Sequence, residues 1–489
     1  MTKFQVVLIL LVALAARLGY HQLVPAFDGS YHNGSDSGKY IVRAISIVEH
    51  GAVVHSNYEG GQVAVGVVDG EARPDFGRMP LYPQFVAAIF RIAGKDNLAA
   101  VTAVQALISS FTPVAIGLIG GAFSRRWMMP AALLGCFWPA FVVYASLVLT
   151  DSIFVDCFTW GLCFCTWALR GRRCLSLLLA AGVAFGLAFL TRPILMFFPF
   201  LLVPVLSCLL VTGHRMGWFR AVSLALVPAL IMFVAVSPRL ISSYANYGSA
   251  VVSTQSGYHA LELIYPCLRN DRSCERTSHK RRAFEMIASR KALLTEQERQ
   301  NPVIIHSIIR DVAAELFMEV PLRILALQFA DGSLRSVVQT MLYEVGDQLN
   351  LNPRYFSSVQ GATLSARTAK FVEIVFTDPF MFLWAVTQSF ILLVLPIQFF
   401  GMFLGVRSAS QRPMAIFLVL TAGYFLVLNL SFGNPKYGLP LNPAEIIFLV
   451  AGAFPLFDYF RRRSEGEWKG KQNLHKEVPR GTPSQKHSQ

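Results

Sequence analysis

Apolar residues along this chain fall into long runs separated by short polar stretches. The runs cover approximately 4–24, 98–121, 128–149, 152–170, 175–191, 194–213, 221–240, 380–404, 413–431 and 439–459. Each reaches or approaches the roughly 20 residues that carry a helix across a bilayer. Inside hydrocarbon the backbone has no water to bond to, so such runs must be helices. No long alternating strand pattern competes with them. The pattern predicts an all-α polytopic membrane protein of about ten transmembrane helices. Two shorter apolar patterns lie between spans. One covers 37–50, with a stripe at Ile41, Ala44, Ile45 and Val48. The other is "RMPLYPQFVAAIFRIAG" at 78–94, with Arg at both ends and two prolines near its start. Both are too short to cross and read as helices lying in the interface. A third, "HSIIRDVAAELFMEVPLRILALQF", contains Pro321 and predicts two short helices with a bend.

Composition agrees, with 54% hydrophobic and 15% charged residues, where a soluble domain would carry about 25% charged. The net charge of +14 raises a nucleic-acid role; its distribution argues against one. Arg125 and Arg126 follow the second span, Arg170, Arg172 and Arg173 the fourth, and His214, Arg215 and Arg220 the sixth. Arg407 and Arg412 follow the eighth, and Arg461, Arg462 and Arg463 the tenth. Basic even exits put both termini in the cytoplasm and the odd exits on the opposite face. The first apolar run resembles a signal peptide with "ALA" as its cut site, but it resumes after Arg17 and reads as an uncleaved span with Lys3 inside. Four regions follow: a membrane module over 1–240 with outer loop 25–97, a large outer loop over 241–379, membrane helices over 380–460, and a tail over 461–489. The tail is basic and rich in breakers, and is expected to be disordered, touching anionic membrane lipids.

The odd exits carry the chemically interesting residues: Asp36, Asp151, Arg192, loop 241–379, and Lys436 with Tyr437. Irregular outer loops that each present a few polar groups suit a site at the membrane surface. A pore would line its spans with polar groups, and here only Arg17 and Asp156 stand out inside them. Six of the eight cysteines sit in or beside spans and behave as small apolar residues. Cys267 and Cys274, in "YPCLRNDRSC", fall in the large outer loop. They are disulfide candidates if that face is oxidising; the alternative is two free thiols. No CxxC or His-rich spacing suggests zinc.

Five stretches, read in order, resemble one family. "SDSGKYIVRAISIVEHG" is similar to the first-loop motif of lipid-carrier-dependent glycosyltransferases of the GT-C type, with an Asp, a Tyr four residues on, and an apolar helix ending in Gly. "GRMPLYPQFVAAIFRIAG", "YASLVLTDSIF" with "LAAGVAFGLAFLTRP", "SPRLISSYANYGSAVVSTQSGYHALE" and "NPKYGLPLNP" resemble its later motifs. Relatives include protein O-mannosyltransferases, the lipid A aminoarabinose transferase and lipopolysaccharide-core glycosyltransferases. The resemblance implies a multi-pass enzyme of the bacterial inner membrane. It would take a polyprenyl-phosphate sugar as donor and a lipid, glycan or protein hydroxyl as acceptor, with inversion at the anomeric carbon.

Such a transfer needs one base, because the acceptor proton must leave as the new bond forms. Its leaving group is a phosphate, which cations stabilise, so one carboxylate among several Arg or Lys is expected, rather than a hydrolase's facing pair. The resemblance makes Asp36 the base; the alternative is a helix N-cap. Arg78, Arg192, Arg239 and Lys436 become donor-phosphate ligands. Arg78 could instead anchor the interface, and Arg192 could partner Asp151. Arg239 is followed by Leu240 where the family has Asn, and Lys436 offers a point charge where the family has Arg. Tyr40, Asp151, Tyr258 and Tyr437 are pocket candidates, with an aromatic belt the alternative for Tyr437 and packing the alternative for Tyr258 and its neighbour His259. Many relatives carry a second acid where this chain has Ser37, and some a Glu where it has Gly77. The expectation is therefore no obligatory metal, although some relatives bind a divalent one. Two other functions compete. An O-antigen polymerase or ligase shares the span count, and a transporter or lipid flippase would show paired midplane charges and internal repeats.

Overall fold

The computed structural model describes residues 1–23, 36–53, 56–59, 62–65, 67–68, 71–72, 74–171, 174–254, 257, 260–261, 265, 276–299, 301–338, 345, 372–429 and 435–476. Seven helices there are long and apolar enough to cross a membrane: Lys3–Leu23, Leu98–Phe123, Thr150–Leu169, Cys174–Thr191, Trp218–Tyr247, Pro379–Arg407 and Lys436–Tyr459. Arg125–Phe137 and Pro139–Ala145 are apolar enough together, with a 45° bend between them at a proline that cannot donate into the helical ladder; taken as one span they make an eighth. The shorter apolar helices Phe198–His214 and Arg412–Leu428 stand where the remaining two spans are expected. The chain is a helical, multi-pass membrane protein.

In chain order the helices are α1 (Lys3–Leu23), α2 (Asp36–His50), α3 (Leu81–Ala93), α4 (Leu98–Ser109), α5 (Thr112–Phe123), α6 (Met128–Phe137), α7 (Pro139–Ala145), α8 (Thr150–Leu169), α9 (Cys174–Thr191), α10 (Phe198–His214) and α11 (Trp218–Tyr247). After them come α12 (Arg276–Ala292), α13 (Pro302–Met318), α14 (Leu322–Val338), α15 (Pro379–Arg407), α16 (Arg412–Asn429) and α17 (Asn442–Lys476), the last preceded by a short helical turn, Pro435–Gly438. Pro321 separates α13 from α14, as its missing N–H requires. Two short antiparallel hairpins, β1 (Ser56–Glu59) with β2 (Gln62–Val65) and β3 (Val67–Val68) with β4 (Glu71–Ala72), lie between α2 and α3. Strands of two to four residues are too brief for alternation to announce them.

The bundle packs around aromatic rings. Phe158 of α8 meets Phe185 of α9, Phe198 of α10 and Phe425 of α16 at centroid distances of 5.5, 5.8 and 5.0 Å. With lipid as apolar as the core, such close packing, rather than water exclusion, holds membrane helices together. The midplane charges are built into the same bundle. Arg17 donates to the Ser109 hydroxyl at 3.0 Å and the Ala13 carbonyl at 3.0 Å, and Asp156 accepts from Thr112 at 2.5 Å. Groups bonded in this way to α4, α5 and their own helix join helices together.

The two ends of the bundle differ. At one, Arg170 caps the α5 carbonyls of Gly121 and Ala122 at 2.7 and 2.8 Å, and the His214 ring meets the Leu169 carbonyl at 2.7 Å. There the basic exits serve helix C-termini, where cations are favoured. At the other, α2 and α3 lie packed together over the helix ends. Tyr82 of α3 donates to the fully buried Gln105 of α4, whose amide donates to the Leu147 carbonyl at 2.7 Å. Helices α12 and α13 form a small separate core with Leu261 and Tyr265.

Two features beyond the sequence reading stand out. Helix α17 runs through Lys476, into the stretch expected to be disordered from 461. Arg461, Arg463, Glu465 and Glu467 each precede an opposite charge by four residues, at Glu465, Glu467, Lys469 and Lys471, a spacing that supports a helix. And α15 meets α17 backbone to backbone: a Cβ on Gly401 would fall 1.9 Å from the Phe448 carbonyl oxygen, and one on Gly452 2.0 Å from that of Ile397.

Candidate active site

Asp36 opens α2 and Tyr40 lies one turn on, so both project from one face of an amphipathic helix. The Asp36 carboxylate meets cations. Its Oδ1 accepts from Arg78 Nη2 at 2.6 Å and Lys39 Nζ at 3.4 Å, and its Oδ2 accepts from Lys436 Nζ at 3.3 Å. Among the described residues, its bonds thus go to side chains and none to the α2 amides that a cap would serve. Burial alone would raise its pKa; the charges of Arg78, Lys436 and Lys39 outweigh that and hold the carboxyl well below the usual carboxylate range.

Asp151 begins α8 and Arg192 follows α9, so this antiparallel pair brings both to the same end. Arg192 Nη1 donates to Asp151 Oδ1 at 2.7 Å, and Lys436 Nζ lies 3.8 Å from Asp151 Oδ2. Asp151 is fully buried, which demands such partners. The result is a row of alternating charge: Arg78, Asp36, Lys436, Asp151, Arg192. Aromatic rings flank it. Arg78 lies 5.2 Å from the Tyr40 ring centroid and donates to its hydroxyl at 3.3 Å. Arg192 sits between Phe154 and Tyr437, at 5.6 and 5.7 Å from the ring centroids. Tyr437 therefore lies against the charged row, next to Lys436.

Arg239 stands elsewhere. From α11 its guanidinium donates to the main-chain carbonyls of Arg78 at 2.7 Å and Val252 at 2.6 Å, and lies over the Phe76 ring at 4.8 Å. The loop before α3 crosses here, and its buried carbonyls need donors. Ser253 donates to Gly77 and Tyr247 to Pro74 for the same reason. Arg239 holds the backbone of Arg78 and makes no bond to either site carboxylate. Tyr258, His259, Cys267 and Cys274 lie outside the described residues.

Two residues escaped sequence reasoning. Asp75 accepts from the Gly77 amide at 2.6 Å through Oδ1 and from Arg43 Nε at 2.5 Å through Oδ2. This half-buried pair ties α2 to the loop that presents Arg78. Signals existed: Asp two residues before a Gly in "RPDFGRMP" fits a turn closed by the side chain, and Arg43 shares the face of Asp36 and Tyr40. The pair also accounts for Gly77, where a Cβ would come within 2.9 Å of Asp75 Oδ1 and 3.0 Å of Arg43 Nη2. Among the described residues no three His, Cys, Asp or Glu side chains are grouped to hold a metal ion. The oxygens of Asp36 and Asp151 face ammonium and guanidinium groups instead, a donor set that does not fit a divalent cation.

Residues 74–241, about a third of the chain, match the sequence model of the dolichyl-phosphate-mannose-protein mannosyltransferase family. Among solved structures the chain is similar to the archaeal oligosaccharyltransferase AglB from Archaeoglobus fulgidus, in complex with an inhibitory peptide and a dolichol-phosphate, with TM-score 0.49 and 13% identity. That match covers 98% of this chain and 52% of AglB, so the chain spans about half the length of that protein. It is also similar to ArnT from Cupriavidus metallidurans bound to undecaprenyl phosphate, with TM-score 0.36 and 14% identity, covering 93% of this chain and 78% of that one. A comparison with curated proteins finds no match. The matched segment contains Arg78, Asp151, Arg192 and Arg239, so this third of the chain resembles that mannosyltransferase family at the level of sequence.

Proposed function

We propose that this protein is an inverting glycosyltransferase that moves a sugar from a polyprenyl-phosphate carrier to an acceptor hydroxyl. The observation that carries this reading is the meeting of Asp36 with Arg78 and Lys436, contributed by three distant stretches of chain. Arg78 and Lys436 supply positive charge where a phosphate leaving group gains negative charge, the largest single effect available to such a reaction. Asp36, between them, receives the acceptor proton. Asp151, itself held by Arg192, braces Lys436 from behind, and Tyr40 and Tyr437 offer ring faces to the sugar or the lipid. With cations occupying the carboxylates, the reaction proceeds on protein charges, without a divalent metal.

The site is assigned to the periplasmic face of a bacterial inner membrane, with both termini in the cytoplasm, because the basic exits gather at the opposite end of the bundle. The acceptor is a hydroxyl on an envelope lipid, glycan or protein, and its choice is made by loop 241–379. A transporter reading finds no support in the packing of Arg17 and Asp156, which are bonded to their neighbours. The test is mass analysis of envelope lipids and glycans from a deletion strain, complemented by wild-type or Asp36→Asn protein. Loss of one sugar, restored only by the wild type, is expected. An unchanged envelope, or restoration by Asp36→Asn, would remove the reading.

A further inference from the structure

The site contains a conflict. A general base must favour taking a proton, yet Asp36 is held, besides the exposed Lys39 at 3.4 Å, by Arg78 at 2.6 Å and Lys436 at 3.3 Å, and positive charge so close disfavours its protonation. These are also the cations that the transferase reading assigns to the donor phosphate. A carboxylate and a phosphate are alike as ligands here, since both are compact oxyanions accepting charge-assisted hydrogen bonds. Arg78 has capacity for a second anion: its Nε is buried and has no hydrogen-bond partner among the described residues. The remaining cation of the row, Arg192, is committed to Asp151 at 2.7 Å. Its place cannot be given up without stranding a fully buried carboxylate. Exchange is therefore confined to Arg78 and Lys436.

We propose, building on the transferase reading, that Asp36 and the donor phosphate compete for Arg78 and Lys436, so that arrival of the donor unmasks the base. The consequence is a fixed order, donor first and acceptor second. Before the donor binds, Asp36 neutralises two cations that would otherwise repel each other in a half-buried site. The donor phosphodiester takes them over and leaves the carboxylate with weakened partners. In the transfer the acceptor oxygen forms a bond to the anomeric carbon while the bond from that carbon to the phosphate oxygen breaks. The bonding pair leaves with the phosphate and the acceptor proton goes to Asp36. Charge thus shifts from Asp36, which becomes neutral, to the phosphate, which becomes a dianion, and the total facing Arg78 and Lys436 stays constant.

The test is equilibrium binding of undecaprenyl phosphate to the full-length protein in a phosphate-free detergent, by calorimetry. Wild type, Asp36→Asn, Asp36→Ser and Arg78→Ala are compared, each checked for a monodisperse elution profile. Competition predicts that both Asp36 variants bind roughly tenfold tighter than wild type, the size expected for releasing a hydrogen bond to a charged group. Arg78→Ala should lose most of the affinity. Unchanged or weaker binding by whichever Asp36 variant folds would overturn the inference while leaving the carrier assignment standing. No binding by the wild type or any variant would instead remove the carrier assignment itself.

Discussion

Asp36 and Lys436 are 400 positions apart in the sequence and 3.3 Å apart in space. Lys436 also reaches Asp151, at 3.8 Å, so one ammonium joins the first outer loop to the start of α8. Asp36→Asn should therefore lower transfer by about 10²–10⁴-fold, the usual contribution of a positioned base. A radiolabelled-donor assay on purified protein checks it, and turnover within tenfold of wild type would reassign Asp36.

The same residue should leave a signature in acid stability. Its pKa is depressed by Arg78, Lys436 and Lys39. A depressed carboxyl contributes stability fully above its unfolded pKa of about 3.9, and that contribution fades as pH falls toward the folded value. Melting temperatures of wild type and Asp36→Asn should differ at pH 6, and the gap should begin to narrow only below about pH 4 and keep narrowing as pH falls toward the depressed folded value. A gap that is constant across this range would mean that the ion pairs contribute nothing.

Arg192 and Asp151 form the buried end of the row. Removing Arg192 alone strands a fully buried carboxylate, with Lys436 as its remaining partner. Arg192→Ala should cost about 3 kcal/mol, the lower end for a broken buried pair. Replacing both residues, Asp151→Asn with Arg192→Gln, should recover much of the loss in thermal unfolding while activity stays low. Equal instability of single and double variants would contradict the pairing.

The Arg43–Asp75 pair fixes α2 against the Arg78 loop. Asp75→Asn keeps an acceptor for Gly77 but loses the charge-assisted bond, and Arg43→Lys loses the planar fork. Each should reduce transfer by about tenfold or more through misplacement of Asp36 relative to Arg78, with binding of undecaprenyl phosphate changed less than turnover. Equal loss of both would make the pair a general fold element.

Metal removal gives the contrasting case. Incubation with a chelator should leave transfer within about twofold of the untreated rate, because charges of Arg and Lys occupy the site. Full loss that is restored by magnesium or manganese would require carboxylates that the described loop does not bring together.

Much of this architecture is written in hydropathy. The spans, the two interfacial helices and the break at Pro321 follow from periodicity and one missing N–H. Asp36, Arg78, Lys436 and Asp151 are legible because few charges interrupt an apolar chain. Less legible is what each charge touches. Arg239 looks like another phosphate ligand, yet its guanidinium serves two main-chain carbonyls, which no residue pattern reveals. Asp75 looks like a turn residue and is one, but its second oxygen faces Arg43 across 32 positions. The hairpins of the first loop are too brief to show as alternation. The helical continuation to Lys476 rests on charge spacing weaker than the breakers beside it.

The contact between α15 and α17 has a consequence for how the molecule can be taken apart. Outside that seam α15 is turned mainly toward lipid, with Phe382, Phe390, Leu393 and Phe403 exposed. Its hold on the rest of the protein depends heavily on two hydrogen-for-methyl positions, Gly401 and Gly452. A single added carbon at either would act as a wedge, peeling an outer stave from the barrel of helices while every charge at the far surface keeps its address. Assembly and chemistry are in this way separable by mutation.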